Sequence, residues 1–166
     1  MTDTHNRIQL WDLIKDIRFA MFTTHHPNGH LHARPMTLQN RNIDKDDTLW
    51  FFMSRQSGPV HDIGGDNEVN VSFADPGKQA YVSVAGHAAV VEDAERKRLL
   101  WNKLNEAWFP QGPDDPDLAL VKVTITHADY WDTHHNKLVR LFEMAKAAIT
   151  GKQPADICEH GRVQLN

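Results

Sequence analysis

The stretch LHARPMTLQNRNIDKDDTLWFFMSRQSGPVHDIGG, residues 31–65, decides the fold that we predict. It reads as a strand, a polar turn, a second strand and the start of a short helix. Alternation along the first strand places His32, Arg34 and Met36 on one face. Pro35 has no N–H for a strand ladder, so we expect this strand at a sheet edge or at a bulge.

The second strand, residues 48–53, is apolar on both of its faces. Its large apolar side chains divide between the faces as Leu49, Phe51 and Met53 opposite Trp50 and Phe52. Strands of this kind lie in the centre of a sheet, or a ligand or another subunit covers the second face.

A phosphate site is the functional hypothesis that this stretch suggests. Arg34 lies on the first strand and Arg55 follows the second, and the arginine side chain has a fixed fork of donors that suits phosphate. Ser57 is a predicted helix cap and Pro59 belongs to the first turn, so free backbone N–H groups would also be available there. The alternative is an ordinary loop in which both arginines pair with the acidic run of Asp44, Asp46 and Asp47.

The rest of the chain adds short strands with tight turns and a few helices. We predict strands at 19–24, 31–38, 48–53, 69–74, 78–91 and 118–126, and helices at 5–18, 92–108 and 137–150. Gly86 is expected to mark a bend or bulge in the long fifth strand. The sequence has no series of alternating strands and helices and no G-x-G-x-x-G, so a Rossmann fold is disfavoured. The prediction is a mainly β (α+β) fold, a six-stranded antiparallel barrel with peripheral helices.

Composition excludes several classes of function. The net charge is −4 with the histidines neutral, so there is no basic excess for binding nucleic acid or an anionic membrane. No apolar run is long enough to span a bilayer, and the N-terminus has acidic residues and no apolar core of a signal peptide. Cys158 is the single cysteine, which rules out an internal disulfide and a cysteine-based zinc site. We therefore expect a cytoplasmic protein.

The chain has 11 histidines, and some of them fall in pairs such as His25-His26 and His30-x-His32. No carboxylate or third histidine lies at a recognised metal-binding spacing such as H-E-x-x-H. We therefore predict no metal site.

Taken in order, the motifs of the chain resemble those of the pyridoxamine 5′-phosphate oxidase-like flavin-binding split barrels, and within them the general stress protein 26 group. The strongest match is WFPQGPDDPDLALVKVTITHADYWD, residues 108–132. Shorter matches lie at 32–36, 49–63, 69–76, 81–93 and 160–165. The resemblance covers nearly the whole chain.

The resemblance implies one FMN-binding split-barrel domain at residues 1–150, followed by a tail at 151–166 that packs on the domain or on a partner subunit. It also implies a homodimer with two flavin sites at the subunit interface. FMN is the expected cofactor, with FAD as the alternative.

The resemblance also assigns residues of the strands at 31–38 and 48–53 to the flavin. Arg34 would contact the phosphate or the ribityl chain. The remaining residues would border the isoalloxazine ring, namely Pro35, Met36 and Thr37 on the first strand and Phe52, Met53 and Ser54 on the second.

The other implied contacts come from the helix start and from the second subunit. Arg55 and Ser57 would complete the phosphate cradle. Trp108 and Trp131 would come from the other subunit and border the ring or the dimer interface. Trp131 is equally well explained as a core residue.

Two departures from the family pattern limit what is carried over. Many relatives have a lysine where this chain has Pro59, which removes one expected phosphate charge. Authentic pyridoxamine phosphate oxidases end on an arginine and histidine motif that residues 160–163 do not match, so we do not assign the vitamin B6 reaction.

The expected function is a flavin-binding general stress protein, a flavin-dependent oxidoreductase of unknown substrate with no assigned catalytic residue. The alternatives are a non-catalytic flavin carrier or sensor and a haem-binding split barrel, the latter because imidazole is a common axial ligand.

Overall fold

The structure is a computed structural model that describes residues 2–43, 46–132, 144–146, 148–151 and 159–165. The described residues include seven strands and three α-helices that we number in chain order. The helices are α1 (Thr2–Ile14), α2 (Gly58–Gly65) and α3 (Ala94–Leu100), with two short 3-10 helices at Lys103–Ala107 and Gly112–Asp114. The strands are β1 (Phe19–His25), β2 (Leu31–Thr37), β3 (Thr48–Ser54), β4 (Glu68–Asp75), β5 (Ala80–Val91), β6 (Leu118–Asp132) and β7 (Glu159–Gln164).

All strand pairs are antiparallel, in the order β2-β1-β4-β5-β6-β3. A bridge between Leu38 and Phe51 joins the two ends of this path, and the Gln39 N–H donates to the Trp50 carbonyl at 2.9 Å. Beyond the bridge β2 and β3 separate, so the barrel is closed at one end and split at the other. This confirms the predicted antiparallel split barrel, although the sheet has seven strands rather than the predicted six because β7 pairs with β6. The order also places β2 at the sheet edge that Pro35 indicated.

The barrel interior is filled by alternate side chains of the strands. Phe22 and Phe51 are fully buried there and meet edge to face, with ring centroids 5.2 Å apart. Leu10 and Ile14 of α1 are buried against the same cluster, so α1 covers part of the barrel core. This core includes Phe51, which forms the bridge with Leu38 at the closed end of the barrel.

The position of β3 in the sheet and the residues that cover its second face differ from the prediction. β3 lies at one end of the strand path, and neither a ligand nor a subunit is needed to cover Trp50 and Phe52. They form a second apolar cluster with Leu100 and Phe109 of the same chain, and Arg96 stacks 5.0 Å over the Trp50 ring. The sequence pattern cannot distinguish these cases, because the covering residues come from a distant segment.

The two halves of β6 have different neighbours on one edge. Residues 118–124 pair with β3 and residues 127–132 pair with β7, whereas β5 runs along the other edge. The β5 register shifts between Ala85 and Gly86, which confirms the predicted bulge. A Cβ at Gly86 would lie 2.4 Å from the Thr124 carbonyl oxygen, so only glycine fits.

Several helix boundaries were predicted wrongly. The predicted helix at 92–108 is two segments, because Trp101 and Asn102 have extended backbone and the Asn102 side chain accepts from the Leu104 N–H to start a 3-10 helix. Residues 144–146 and 148–150 are helical, and the rest of the helix predicted at 137–150 lies outside the described residues. None of the described helices has the length and apolar character needed to cross a membrane.

Candidate flavin site

The candidate site lies where β2 and β3 separate. Extending the antiparallel register of the Leu38–Phe51 bridge along both strands sets Met36 level with Met53 and Arg34 level with Arg55. Among the described residues, β2 has a ladder partner only on its β1 side, and β3 only on its β6 side. The facing edges therefore carry backbone N–H and C=O groups that can bind a flat polar ligand.

Arg34 lies inside the split beside the start of α2. Its Nη1 donates to Thr24 Oγ1 at 2.6 Å and to the His32 carbonyl at 3.1 Å. A Cβ built on Gly58, the first residue of α2, would be 4.0 Å from Arg34 Nη2. The structure thus brings this guanidinium to a helix N-terminus, an arrangement that favours an anion.

Asp62 of α2 is the acid that balances Arg34. Its side chain is 1% exposed, and its carboxylate accepts from Thr24 Oγ1 at 2.6 Å and faces His26 Nδ1 at 2.9 Å and Arg34 Nη2 at 3.4 Å. Burial opposes ionisation most strongly, but the hydrogen bonds of Thr24 and His26 and the positive charges outweigh it and lower the pKa of Asp62. The carboxylate is therefore ionised at neutral pH.

Arg55 does not share the environment of Arg34. It makes a double contact with Glu92, at 2.7 and 2.9 Å, and its Nε donates to the Pro116 carbonyl at 3.1 Å. The hydrogen bond with Glu92 raises the pKa of the guanidinium. The two arginines thus have separate acidic partners. Of the acidic run proposed as the alternative, the described residues Asp46 and Asp47 pair with neither arginine, and Asp47 pairs with Arg7. Asp44 lies outside the described residues.

The hydroxyl groups of the predicted cradle are used within the chain. Ser54 Oγ donates to Asp117 Oδ1 at 2.9 Å. Ser57 occupies the N-cap position of α2, but its hydroxyl donates to the Ser54 carbonyl at 2.7 Å and makes no side-chain cap bond, so the predicted capping contact is wrong. The N–H groups at the start of α2 remain the better anion donors.

Phe52 and Met53 are placed on opposite faces of β3 and are both buried. Met53 belongs to the barrel core and Phe52 to the second cluster. Their side chains thus pack in the two apolar clusters, and only the backbone edge of β3 at these residues faces the split.

Trp108 is 80% exposed and follows the 3-10 helix at Lys103–Ala107. This segment is tied to the closed end of the split, because Asn102 and Asn105 both donate to Gln39 Oε1, at 3.3 and 3.2 Å. Gln39 Nε2 in turn donates to the Thr37 carbonyl at 3.2 Å. Trp108 is thus a large aromatic side chain held in solvent near the end of β2.

The outward face of the sheet carries a second group of predicted residues. Pro35 and Thr37 lie on this face, since they pair with Met21 and Phe19 across the β1–β2 ladder. Trp131 lies on the same face, 38% exposed and stacked on the His160 ring at 5.0 Å. A shallow cleft of about 310 Å³ opens there, lined by Phe19, Met21, Ser72, Phe73, Ala74, Tyr81, Val82, Ser83 and Trp131.

The sequence analysis missed Thr24 and Asp62, which contact Arg34, and His26, which contacts Asp62. One signal was present: Asp62 lies on the Pro59–Ile63 side of a short helix, where the spacing predicts an apolar residue. A carboxylate at such a position needs a partner inside the fold. Within the described ranges no three histidine, cysteine, aspartate or glutamate side chains are grouped to hold a metal ion.

Comparison with known proteins identifies relatives over most of the chain. Residues 5–155 match the sequence profile of the family described as "Pyridoxamine 5'-phosphate oxidase like". The chain is 30% identical over 149 residues to the protein bli-3 of Neurospora crassa, an alignment that covers 84% of this chain and 70% of bli-3.

Solved structures are similar as well. A putative general stress protein 26 from Jannaschia sp. CCS1 superposes with a TM-score of 0.74 at 25% identity and covers 97% of both chains. The general stress FMN/FAD binding protein of Xanthomonas citri superposes with a TM-score of 0.66 at 28% identity, over 80% of this chain and 92% of its own.

Proposed function

Because the chain belongs to the pyridoxamine 5′-phosphate oxidase-like family, we propose that it binds FMN in the split between β2 and β3. Arg34 and the N-terminus of α2 would hold the phosphate. The free edges of β2 and β3 would face the ring. The observation that carries the proposal is the position of Arg34 beside Gly58 at the open end of an otherwise filled barrel.

Flavin chemistry needs little from the side chains of the protein beyond binding, orientation and access. A bound flavin supplies electron transfer, and we propose that the protein is a flavin-dependent oxidoreductase. The FMN/FAD-binding protein of Xanthomonas citri, a structural relative, supports the choice of cofactor. FMN is preferred to FAD because a single phosphate suits one arginine at one helix start.

We propose in addition that two copies of the chain pair through the outward sheet face. Four large side chains of that face are exposed by 38–63%: Phe19, Met21, Tyr81 and Trp131. A contiguous apolar patch of this kind marks an association surface. A two-fold arrangement would bury it against itself and would cover Pro35 and Thr37, which border the split.

The visible absorbance spectrum tests flavin binding directly. We expect the purified protein, after incubation with FMN and removal of the excess, to retain a flavin spectrum in a ratio close to one flavin per chain. Riboflavin, which has no phosphate, is expected to be largely lost in the same procedure. A protein that retains neither ligand would contradict the proposal.

Turnover is tested separately from binding. With FMN bound, steady consumption of NADH or NADPH with a suitable acceptor would support an oxidoreductase. Retained flavin that no donor reduces would instead support a carrier or sensor.

The dimer is tested by a charge placed in the outward face. We expect Met21→Glu to raise the dimer dissociation constant by about a hundredfold or more, since a two-fold axis brings like charges together in a desolvated interface. Light scattering after size-exclusion chromatography measures the mass. Ile8→Glu on α1, where Ile8 is 57% exposed, is the matched control and should leave the dimer intact. Equal masses for both variants would exclude this face.

A further inference from the structure

Asp62 and His26 form a polar cluster with Arg34 at the open end of the split, and the proposed function has given neither Asp62 nor His26 a role so far. Asp62 Oδ1 faces the imidazole of His26 at 2.9 Å, and Asp62 Oδ2 faces Arg34 at 3.4 Å. Thr24 Oγ1 connects the two sides, because it donates to Asp62 and accepts from Arg34, each at 2.6 Å. One buried carboxylate thus contacts both the imidazole of His26 and the guanidinium of Arg34.

The charge of this cluster depends on one histidine. Asp62 and Arg34 cancel when His26 is neutral, and the cluster has a net charge of +1 when His26 is protonated. Histidine is the side chain that ordinarily changes charge between about pH 5 and 8. The His26 side chain is 38% exposed, so protons reach it from solvent.

The other charged and titratable groups around His26 come from the β1–β2 hairpin and from α2. His32 stacks on the His26 ring with centroids 4.6 Å apart. The backbone N–H of His26 donates to the backbone carbonyl of His30. The nearby His25 has a separate partner, the Asp66 carboxylate at 3.1 Å.

We propose that His26 and Asp62 are positioning residues that couple the affinity of Arg34 for a phosphate group to pH. The inference rests on the proposed function, in which Arg34 holds the flavin phosphate. When His26 is neutral, the negative charge of Asp62 is compensated by Arg34 alone, which weakens the attraction of Arg34 for the phosphate. With His26 protonated, Asp62 is balanced by the imidazolium, and the charge of Arg34 acts on the ligand. Phosphate binding and proton uptake at His26 therefore favour each other.

The test compares FMN with riboflavin at about pH 6.5 and pH 8.5, with flavin fluorescence as the measure of binding. We expect wild-type protein to bind FMN about three- to tenfold more tightly at the lower pH, the effect of one charge several ångströms from the phosphate. Riboflavin affinity should change little. The second ionisation of the FMN phosphate, near pH 6, opposes this trend equally in every variant.

Two histidine variants isolate the cluster. In wild-type protein the affinity for FMN should depend more strongly on pH than the affinity for riboflavin does. His26→Asn should remove this difference, whereas His25→Asn should retain it. If His26→Asn retains the full dependence, the inference is wrong although the protein binds flavin. If wild-type protein binds neither flavin, the proposed function is wrong.

A measurement without flavin keeps the inference testable in that second case. Inorganic phosphate is the probe, and the ring signals of His26 are identified by NMR from their loss in His26→Asn. Saturating phosphate should move the midpoint of the His26 titration to higher pH and leave that of His25 unchanged. An unchanged His26 midpoint in the presence of phosphate would overturn the coupling.

Discussion

Phe51→Ala is expected to lower the free energy of unfolding by about 3–5 kcal/mol, the range for removing a fully buried phenylalanine. Phe51 has no exposed surface, packs edge to face on Phe22 and forms the bridge with Leu38 that closes the barrel. The cavity would open beside the bridge that joins the ends of β2 and β3. Urea unfolding followed by circular dichroism measures the change.

Leu99→Ala is the control for this experiment. Leu99 is 60% exposed on α3, so its truncation should change the free energy of unfolding by less than about 0.5 kcal/mol. A loss below about 1 kcal/mol for Phe51→Ala would mean that the site collapses easily and that the barrel is not closed by this packing.

Arg34→Ala is expected to weaken FMN binding about 10- to 100-fold, because a hydrogen bond to a charged group contributes about 1.5–3 kcal/mol. Thr24 and the His32 carbonyl hold the Nη1 end of the guanidinium, which leaves other donors for the phosphate. Riboflavin affinity should change by less than about threefold, since that ligand has no phosphate for the arginine to bind. Fluorescence titration with both flavins measures the difference.

Two further variants separate binding from folding. Arg34→Gln retains a hydrogen-bond donor near the buried Asp62 and should show the same loss of FMN affinity with less change in thermal stability. Arg98→Ala removes an exposed arginine that pairs with Asp114 and should bind FMN as the wild type does. Equal loss of FMN and riboflavin in Arg34→Ala would indicate damage to the whole site rather than to a phosphate contact.

Local sequence signals predicted most of the barrel. Turn residues Pro27, Asn28 and Gly29 separate two strands that pair in the register expected of a hairpin. Pro35 predicted an edge strand and Gly86 a bulge, and both are present. These signals act within a few residues, through the missing N–H of proline and the missing Cβ of glycine, so they can be read without knowledge of the fold.

The site could be predicted only in part. Arg34 was identified as a phosphate residue, and the structure places it beside a helix start, but its partners Thr24 and Asp62 come from two other elements, β1 and α2. The same limit applied to β7, where we predicted a polar tail without a strand. Gly161 of β7 packs under the Tyr130 ring, and a Cβ there would approach that ring within 2.4 Å. Such contacts involve β6, which is distant in sequence.

By itself the sequence determined the first six strands, their turns and the antiparallel class of the fold, because alternation and turn chemistry are local properties of the chain. Only the tertiary structure decided what covers the second face of β3, which acid neutralises each arginine and where residues 159–164 lie. Each of these depends on which distant segments meet, and burial selects those partners by shape and charge across the whole domain. The charged cluster around Asp62 is therefore a product of the fold rather than of any motif.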